Sequence, residues 1–300
     1  MTRSFLDIDD LTPDELVAVL DASERPDPPQ VLAGKGVALV FEKPSNRTRS
    51  SSEMAIVQLG GHPVVIRGEE VGFDVRETAE DVGRTLACYH AAIGARVYDH
   101  DKLTRMAAVV DVPVINLLSD DAHPMQALAD LLTLRQHVGD LSGRSLAWVG
   151  DFTNVARSLA VGAAMCGMEV RIGTPHGYGP TPLDVDRLAA IGARPLVTTR
   201  PGDAVSGADA VVTDVWASMG QEDEASARRQ AFEGFTVDAA LMGRAAAEGV
   251  FLHCLPAHRG EEVSAEVVDG PRSLVWQEAA NRMHVARGLL SWLFEGGSAR

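Results

Sequence analysis

Apolar residues in this chain fall into short runs separated by longer amphipathic stretches. Gly36-Val37-Ala38-Leu39-Val40-Phe41 is apolar throughout and predicts a short buried strand. Residues 50–60, apolar at Met54, Ile56, Val57 and Leu59, predict a helix ending at Gly60-Gly61. Strands are predicted again at 63–66, 91–98 and 112–117. Between them lie helices over 77–90, spaced by Val82, Leu86 and Tyr89, and over 102–110. Upstream, residues 10–20 open a helix with Pro13 in its first turn and acids beside it. Residues 21–30, rich in proline and charge, read as a loop. The glycine-punctuated, acidic stretch 67–74 reads as a mobile loop.

His123-Pro124-Met125-Gln126 opens a long helix that ends near Gly139, and the alternation then restarts. Strand candidates are 145–149, 170–173, 194–197, 210–213 and 250–255, with helices between them, and a long amphipathic helix over 277–294 closes the chain. Strands alternating with helices imply parallel sheets whose sites lie at the carboxyl ends of the strands. The fold class is therefore α/β, with two doubly wound parallel-sheet domains over about 1–125 and 140–277, joined by the helix near 125–140. No fixed-period repeat or low-complexity segment interrupts this plan.

Three hundred residues leave room for two domains. With 46% hydrophobic and 23% charged residues, the composition is that of a soluble globular protein. No apolar run approaches the roughly 20 residues of a membrane span. Met1-Thr2-Arg3-Ser4-Phe5 lacks a signal-peptide hydrophobic region, so a cytoplasmic enzyme is expected. Cys88, Cys166 and Cys254 are odd in number and far apart, which argues against a disulfide framework. A net charge of −15 makes non-specific nucleic-acid binding unfavourable and means that any anion must be held by a local basic cluster. Arginines outnumber lysines 24 to three, so a lone arginine carries little information while a cluster still does. The shortage of lysine weighs against Schiff-base chemistry.

One such cluster follows the first strand. Ser45-Asn46-Arg47-Thr48-Arg49 places two hydroxyls, an amide and two arginines between a strand and a helix. Helix-start N–H groups and the dipole attract anions, and guanidinium forks match phosphate oxygens. The plainer alternative is a helix cap at Ser45 with solvated arginines. Arg96 ends a strand and, read alone, is a surface charge. His123 and Gln126 could donate to a carbonyl oxygen and read an amide, or simply cap a helix.

Trp148-Val149-Gly150-Asp151-Phe152-Thr153-Asn154 sits where a dinucleotide fingerprint would, without its glycines, so Asn154 suits a small polar ligand instead. Asp214 at a strand end, with Ser218 four residues on, suits an amino-acid ammonium group. The stretch from His253-Cys254 to His258 does not match a zinc spacing, and no metal is expected. Cys254 has the makings of a nucleophile, but nothing demands that role. Arg282, one turn from Glu278, reads alone as half of a helix salt bridge.

Taken together, these stations resemble the transcarbamylases, and within the aspartate/ornithine family its ornithine branch. Ser45 to Arg49 resembles the S-T-R-T-R carbamoyl-phosphate loop, and His123 to Gln126 resembles H-P-x-Q. Asp214 to Gly220 resembles D-x-x-x-S-M-G, His253 to Pro256 resembles H-C-L-P, and Glu278 to Arg282 resembles E-A-E-N-R. They occur in family order from about Leu6 to the last helix.

The resemblance implies that Ser45, Asn46, Arg47 and Thr48 bind the phosphate of carbamoyl phosphate, with Arg96 reaching in. It implies that His123 polarises the carbonyl, that Gln126 reads the carbamoyl amide, and that backbone at Cys254 and Leu255 with the Arg282 side chain completes that pocket. Asn154, Asp214, Ser218 and Met219 would hold ornithine. Arg47, Arg96, His123, Asp214 and Cys254 would carry the catalysis. The implied activity forms L-citrulline and phosphate from carbamoyl phosphate and L-ornithine in arginine biosynthesis, without a cofactor. The implied fold has the last helix, 278–296, returning to the first domain, and the implied assembly is a homotrimer or a multiple of trimers, with neither nucleic acid nor membrane as partner.

Two departures stand out. Asn46 replaces the usual threonine, and residues 68–80 match poorly, with Gly72 at a position where a glutamine contact is found in some members. Competing readings are a sister enzyme for aspartate, putrescine or acetylornithine, a non-catalytic binding homologue, and a nicotinamide-dependent dehydrogenase disfavoured by the missing glycines.

Overall fold

The computed structural model describes residues 3–217 and 224–297. The chain divides into two compact units, one from residues 1–132 with 280–300 and one from 133–279. The boundaries fall inside two helices, Pro124–Val138 and Val275–Phe294.

The first unit holds a four-stranded parallel sheet of β1 (Gly36–Phe41), β2 (His62–Arg67), β3 (Ala92–Arg96) and β4 (Val114–Leu118), in the order β2-β1-β3-β4. β1, β3 and β4 are largely buried because both of their faces are covered, whereas the edge strand β2 is only partly so. Ala38, Val40, Ile93 and Ala95 pack with Val82 and Leu86 of helix Ala79–Ala87 and with Leu103 and Met106 of helix Asp101–Ala107. On the opposite face, Val37, Leu39 and Leu117 line a small apolar cavity with Ile56 and with Ala286, Leu289 and Leu290 of the last helix. The C-terminal helix therefore packs onto this sheet. At Gly288 it meets helix Pro13–Ser23 so closely that a Cβ would lie 2.6 Å from the Ser23 backbone nitrogen.

In the second unit β5 (Ser145–Val149), β6 (Glu169–Gly173), β7 (Leu196–Thr198), β8 (Ala210–Thr213) and β9 (Val250–His253) form a parallel sheet ordered β7-β6-β5-β8-β9. Ala147, Val149, Val211 and Phe251 pack there with Trp216, Phe232, Val237 and Val275.

The α/β class and the paired parallel sheets follow the hydrophobic pattern, and the departures from it are local. The helix expected over 50–60 runs from Asn46 to Gln58, capped by Ser45. Its first turn is polar, so apolar periodicity does not mark it. The stretch expected as a loop over 67–74 contains a helical turn, Gly68–Val71, closed by Gly72 at φ 59°. Tyr89, placed on the buried face by spacing, is 74% exposed because the helix ends at Ala87. β9 stops at His253, which leaves Cys254 and Leu255 in the following loop.

Candidate active site

In open parallel sheets, ligands bind beyond the carboxyl ends of the strands where the strand order reverses. In the first unit that point lies between β1 and β3. Ser45 follows β1 in extended conformation (φ −157°) and its Oγ accepts from the Thr48 N–H at 3.3 Å, so the helix begins within the Ser45–Arg49 stretch itself. Helices Pro13–Ser23 and Ala79–Ala87 carry acids in their first turns, whereas this helix has none. The positive end of its dipole therefore meets no acidic side chain of its own first turn.

Thr48 is buried, and its Oγ1 lies 3.4 Å from Nη1 of Arg96, the last residue of β3, and 3.3 Å from Nη2 of Arg282. Arg282 Nη1 donates to Gln126 Oε1, and Gln126 Nε2 donates to Asp130 Oδ1 at 2.7 Å. These side chains, all buried, come from three helices and a strand. Arg49 is not among them: it is exposed and pairs with Glu53 at 2.9 Å. Successive helical residues are about 100° apart, so Arg47 and Arg49 face different ways. Asn46 is exposed too, and its Oδ1 accepts from Ser50 Oγ at 3.3 Å.

His123 is buried just before helix Pro124–Val138. Burial first, and then the charges of Arg282, Arg96 and Arg47, hold its pKa well below 6.5. The ring is neutral at pH 7. Its approach is fixed by Asn116 on β4, whose Nδ2 donates to Ser119 Oγ at 3.2 Å and the Ala122 carbonyl at 3.3 Å. Lys43 lies in the same field: burial and then Arg96 lower its pKa, and its Nζ sits 4.2 Å over the Tyr98 ring. Three guanidiniums, a half-buried ammonium and a neutral imidazole are gathered at one switch point, a concentration of positive charge that suits an anion.

The second unit reverses between β5 and β8. Asn154 begins helix Asn154–Met165, and its Oδ1 accepts from the Val155 N–H at 2.9 Å. Asp214, buried just beyond β8, accepts on Oδ1 from the Val215 N–H at 2.8 Å and from Cys254 Sγ at 3.1 Å. Cys254 therefore serves as a thiol donor here. Leu255 adopts φ 59°, a conformation rare for a branched side chain, and its N–H donates to His253 Nδ1 at 2.9 Å. That bond leaves the proton on His253 Nε2, which donates to Glu262 Oε1 at 3.2 Å. Asp214, His253 and Cys254 are close enough to suggest ion ligation, but both imidazole nitrogens are already engaged.

The structure thus gathers Ser45, Arg47, Thr48, Arg96, His123, Gln126 and Arg282 in the first unit. It gathers Asp214, Cys254 and Leu255 in the second, with Asn154 at the neighbouring strand end. Ser218 and Met219 lie outside the described residues. Asp130 and Asn116, which hold the others in place, carry no local motif that would have marked them. Glu278, adjacent to Arg282 on the helix surface, accepts from the His253 N–H at 2.9 Å.

Both units are matched by known proteins. Residues 3–136 match the family described as aspartate/ornithine carbamoyltransferase, carbamoyl-P binding domain, and residues 142–293 match its Asp/Orn binding domain. An ornithine carbamoyltransferase of Acidothermus cellulolyticus is 49% identical over 100% of this chain and 99% of its own. The crystal structure of ornithine carbamoyltransferase from Thermus thermophilus superposes with TM-score 0.89 at 44% identity, covering 98% of this chain and 99% of that one. The enzyme from Pyrococcus furiosus gives TM-score 0.93 at 40% identity, with 98% of each chain covered. Homology at this level across both units shows that the chain belongs to the aspartate/ornithine carbamoyltransferase family.

Proposed function

We propose that this chain transfers the carbamoyl group of carbamoyl phosphate to the side-chain amine of L-ornithine, giving L-citrulline and phosphate. The observation that carries this reading is the convergence of Arg96 and Arg282 on Thr48 at the head of the helix capped by Ser45. A dianion relieves the repulsion among these charges, and the same donors stabilise the phosphate as it leaves.

In the first unit Ser45, Asn46 through its backbone, Arg47 and Thr48 take the phosphate, with Arg96 beside them. His123, neutral, donates to the carbonyl oxygen, where negative charge grows as the amine attacks. Gln126, which holds Arg282 through Oε1, reads the carbamoyl amide. In the second unit Asn154, Asp214, Ser218 and Met219 bind ornithine. Backbone at Cys254 and Leu255 adds donors for the carbamoyl group.

The carbon–nitrogen bond forms, the bond to the phosphate oxygen breaks, and the amine sheds a proton. A free amine of this kind has a pKa of about 10 by analogy with lysine. Asp214 with Cys254 orients it and assists the loss of its proton. The place of this step in arginine biosynthesis, a cytoplasmic location and assembly in threes belong to the same proposal. Among the described residues no helix is long and apolar enough to cross a membrane.

Carbamoylation assays with L-ornithine, N-acetylornithine, putrescine and L-aspartate test the proposal. Ornithine alone is expected to support rapid turnover. Preference for another amine, or carbamoyl-phosphate binding with no turnover, would overturn it.

A further inference from the structure

The carboxyl ends of β5 and β8 carry Asn154 and Asp214, and one side chain ties those two ends together. Arg228, on helix Ala225–Ala231, is 7% exposed. Its Nη1 donates to Asp151 Oδ2 at 2.5 Å and to the Trp216 carbonyl at 2.9 Å, and its Nε donates to Glu224 Oε2 at 3.0 Å. The guanidinium lies 5.3 Å from the centroid of the Tyr178 ring. Tyr178 in turn packs edge-on against Phe232, which stacks on Trp216 at 5.5 Å.

Each contact leads to the candidate amino-acid site. Asp151 is three residues before Asn154, and its carbonyl accepts from Trp148 Nε1 at 3.0 Å, which fastens that loop to β5. Trp216 is two residues after Asp214. A buried ion pair adds little net stability over well-packed apolar residues. What the pair supplies here is geometry, because it fixes the Asp151 carboxylate and the Trp216 carbonyl to one guanidinium.

We propose that Arg228, acting through the Asp151 carboxylate and the Trp216 carbonyl, is a positioning residue that sets the spacing of the Asn154 and Asp214 loops and thereby controls amino-acid binding. This rests on reading the second unit as the ornithine half of a carbamoyltransferase. Lysine has a single nitrogen on a flexible stem, so it cannot reproduce the Nη1 contacts to the carboxylate and the carbonyl together with the Nε contact to Glu224. Arg228 does not touch the substrate. Its loss acts by displacing groups that do.

Steady-state kinetics of the full chain, with each substrate varied in turn, test this in Arg228→Met, Arg228→Lys and Asp151→Asn. In Arg228→Met the KM for ornithine should rise about tenfold to a hundredfold, the scale expected when binding groups are displaced by around an ångström. The KM for carbamoyl phosphate should stay within about twofold. Arg228→Lys and Asp151→Asn should shift the ornithine KM alone, by less. An unchanged ornithine KM in folded Arg228→Met, or both KM values rising in step, overturns the proposal. Should Arg228→Met fail to fold, the other two variants decide by the same criterion. Wild-type protein that forms no citrulline defeats the underlying reading, and this one with it, and shows that failure before any variant is made.

Discussion

His123 is the residue whose surroundings most constrain its chemistry. Buried among Arg47, Arg96 and Arg282, it stays neutral well below 6.5, while the unfolded chain takes up a proton near that value. Between the folded and unfolded pKa the unfolded state binds the extra proton. The contribution to stability is therefore intact above about pH 6.5 and is lost as the pH falls beneath it. Denaturant unfolding between pH 7 and 5 should show a loss of up to about 1.4 kcal/mol per pH unit from this group, and His123→Gln should remove that part of the slope. An identical slope in the variant would mean that the ring takes up its proton in the folded state as readily as in the unfolded chain. At the second cluster, Cys254→Ala removes the thiol that donates to Asp214. Turnover should fall by about tenfold or more, short of the 10²–10⁴ of a full general base, with an altered pH–rate profile. An unchanged profile would take Cys254 out of the chemistry. Local sequence marks Ser45 and Arg47 well because cap, charge and helix start are neighbours. It marks Arg282 poorly, because Gln126 and Thr48, the partners that define it, are 156 and 234 residues away.

Among the elements, strands were the most legible, since burial on both faces leaves uninterrupted apolar runs; 145–149 and 210–213 appear as read. Polar helix starts were not. Asn46 to Arg49 belong to a helix whose apolar face begins only later, so capping at Ser45 locates the start where periodicity does not. The helix Val275–Phe294 shows what sequence leaves out, because its docking depends on close approach. Arg287 Nη2 donates to the Ser23 and Arg25 carbonyls, both at 3.0 Å, and Gly288 lies against Ser23. Alanine at 288 would gain about 1 kcal/mol of helix propensity. Its Cβ, however, would fall 2.6 Å from the Ser23 nitrogen and 2.7 Å from its Cα, both backbone atoms that cannot turn aside. Overpacking of this kind costs about 1–3 kcal/mol or more. Gly288→Ala should therefore lower the denaturant midpoint, and a midpoint at or above wild type would show that the helix can retreat.

For the molecule as a whole, alternation of strand and helix disclosed two parallel sheets, but not which strands are neighbours. Pairing is a long-range property, and it is the orders β2-β1-β3-β4 and β7-β6-β5-β8-β9 that create the switch points. Those points explain why candidate residues scattered from Ser45 to Arg282 fall into two sets at strand ends. Charge shows the same logic at large scale. A chain of net charge −15 repels anions on average, so its basic residues must be concentrated to bind one. A crystal structure with phosphonoacetamide, a stable analogue of carbamoyl phosphate, tests that concentration most directly. The phosphonate should lie on the Ser45–Thr48 backbone between the guanidiniums of Arg47 and Arg96, with its carbonyl oxygen toward His123. A phosphonate bound elsewhere, with Arg47 and Arg96 turned to bulk water, would contradict the central claim.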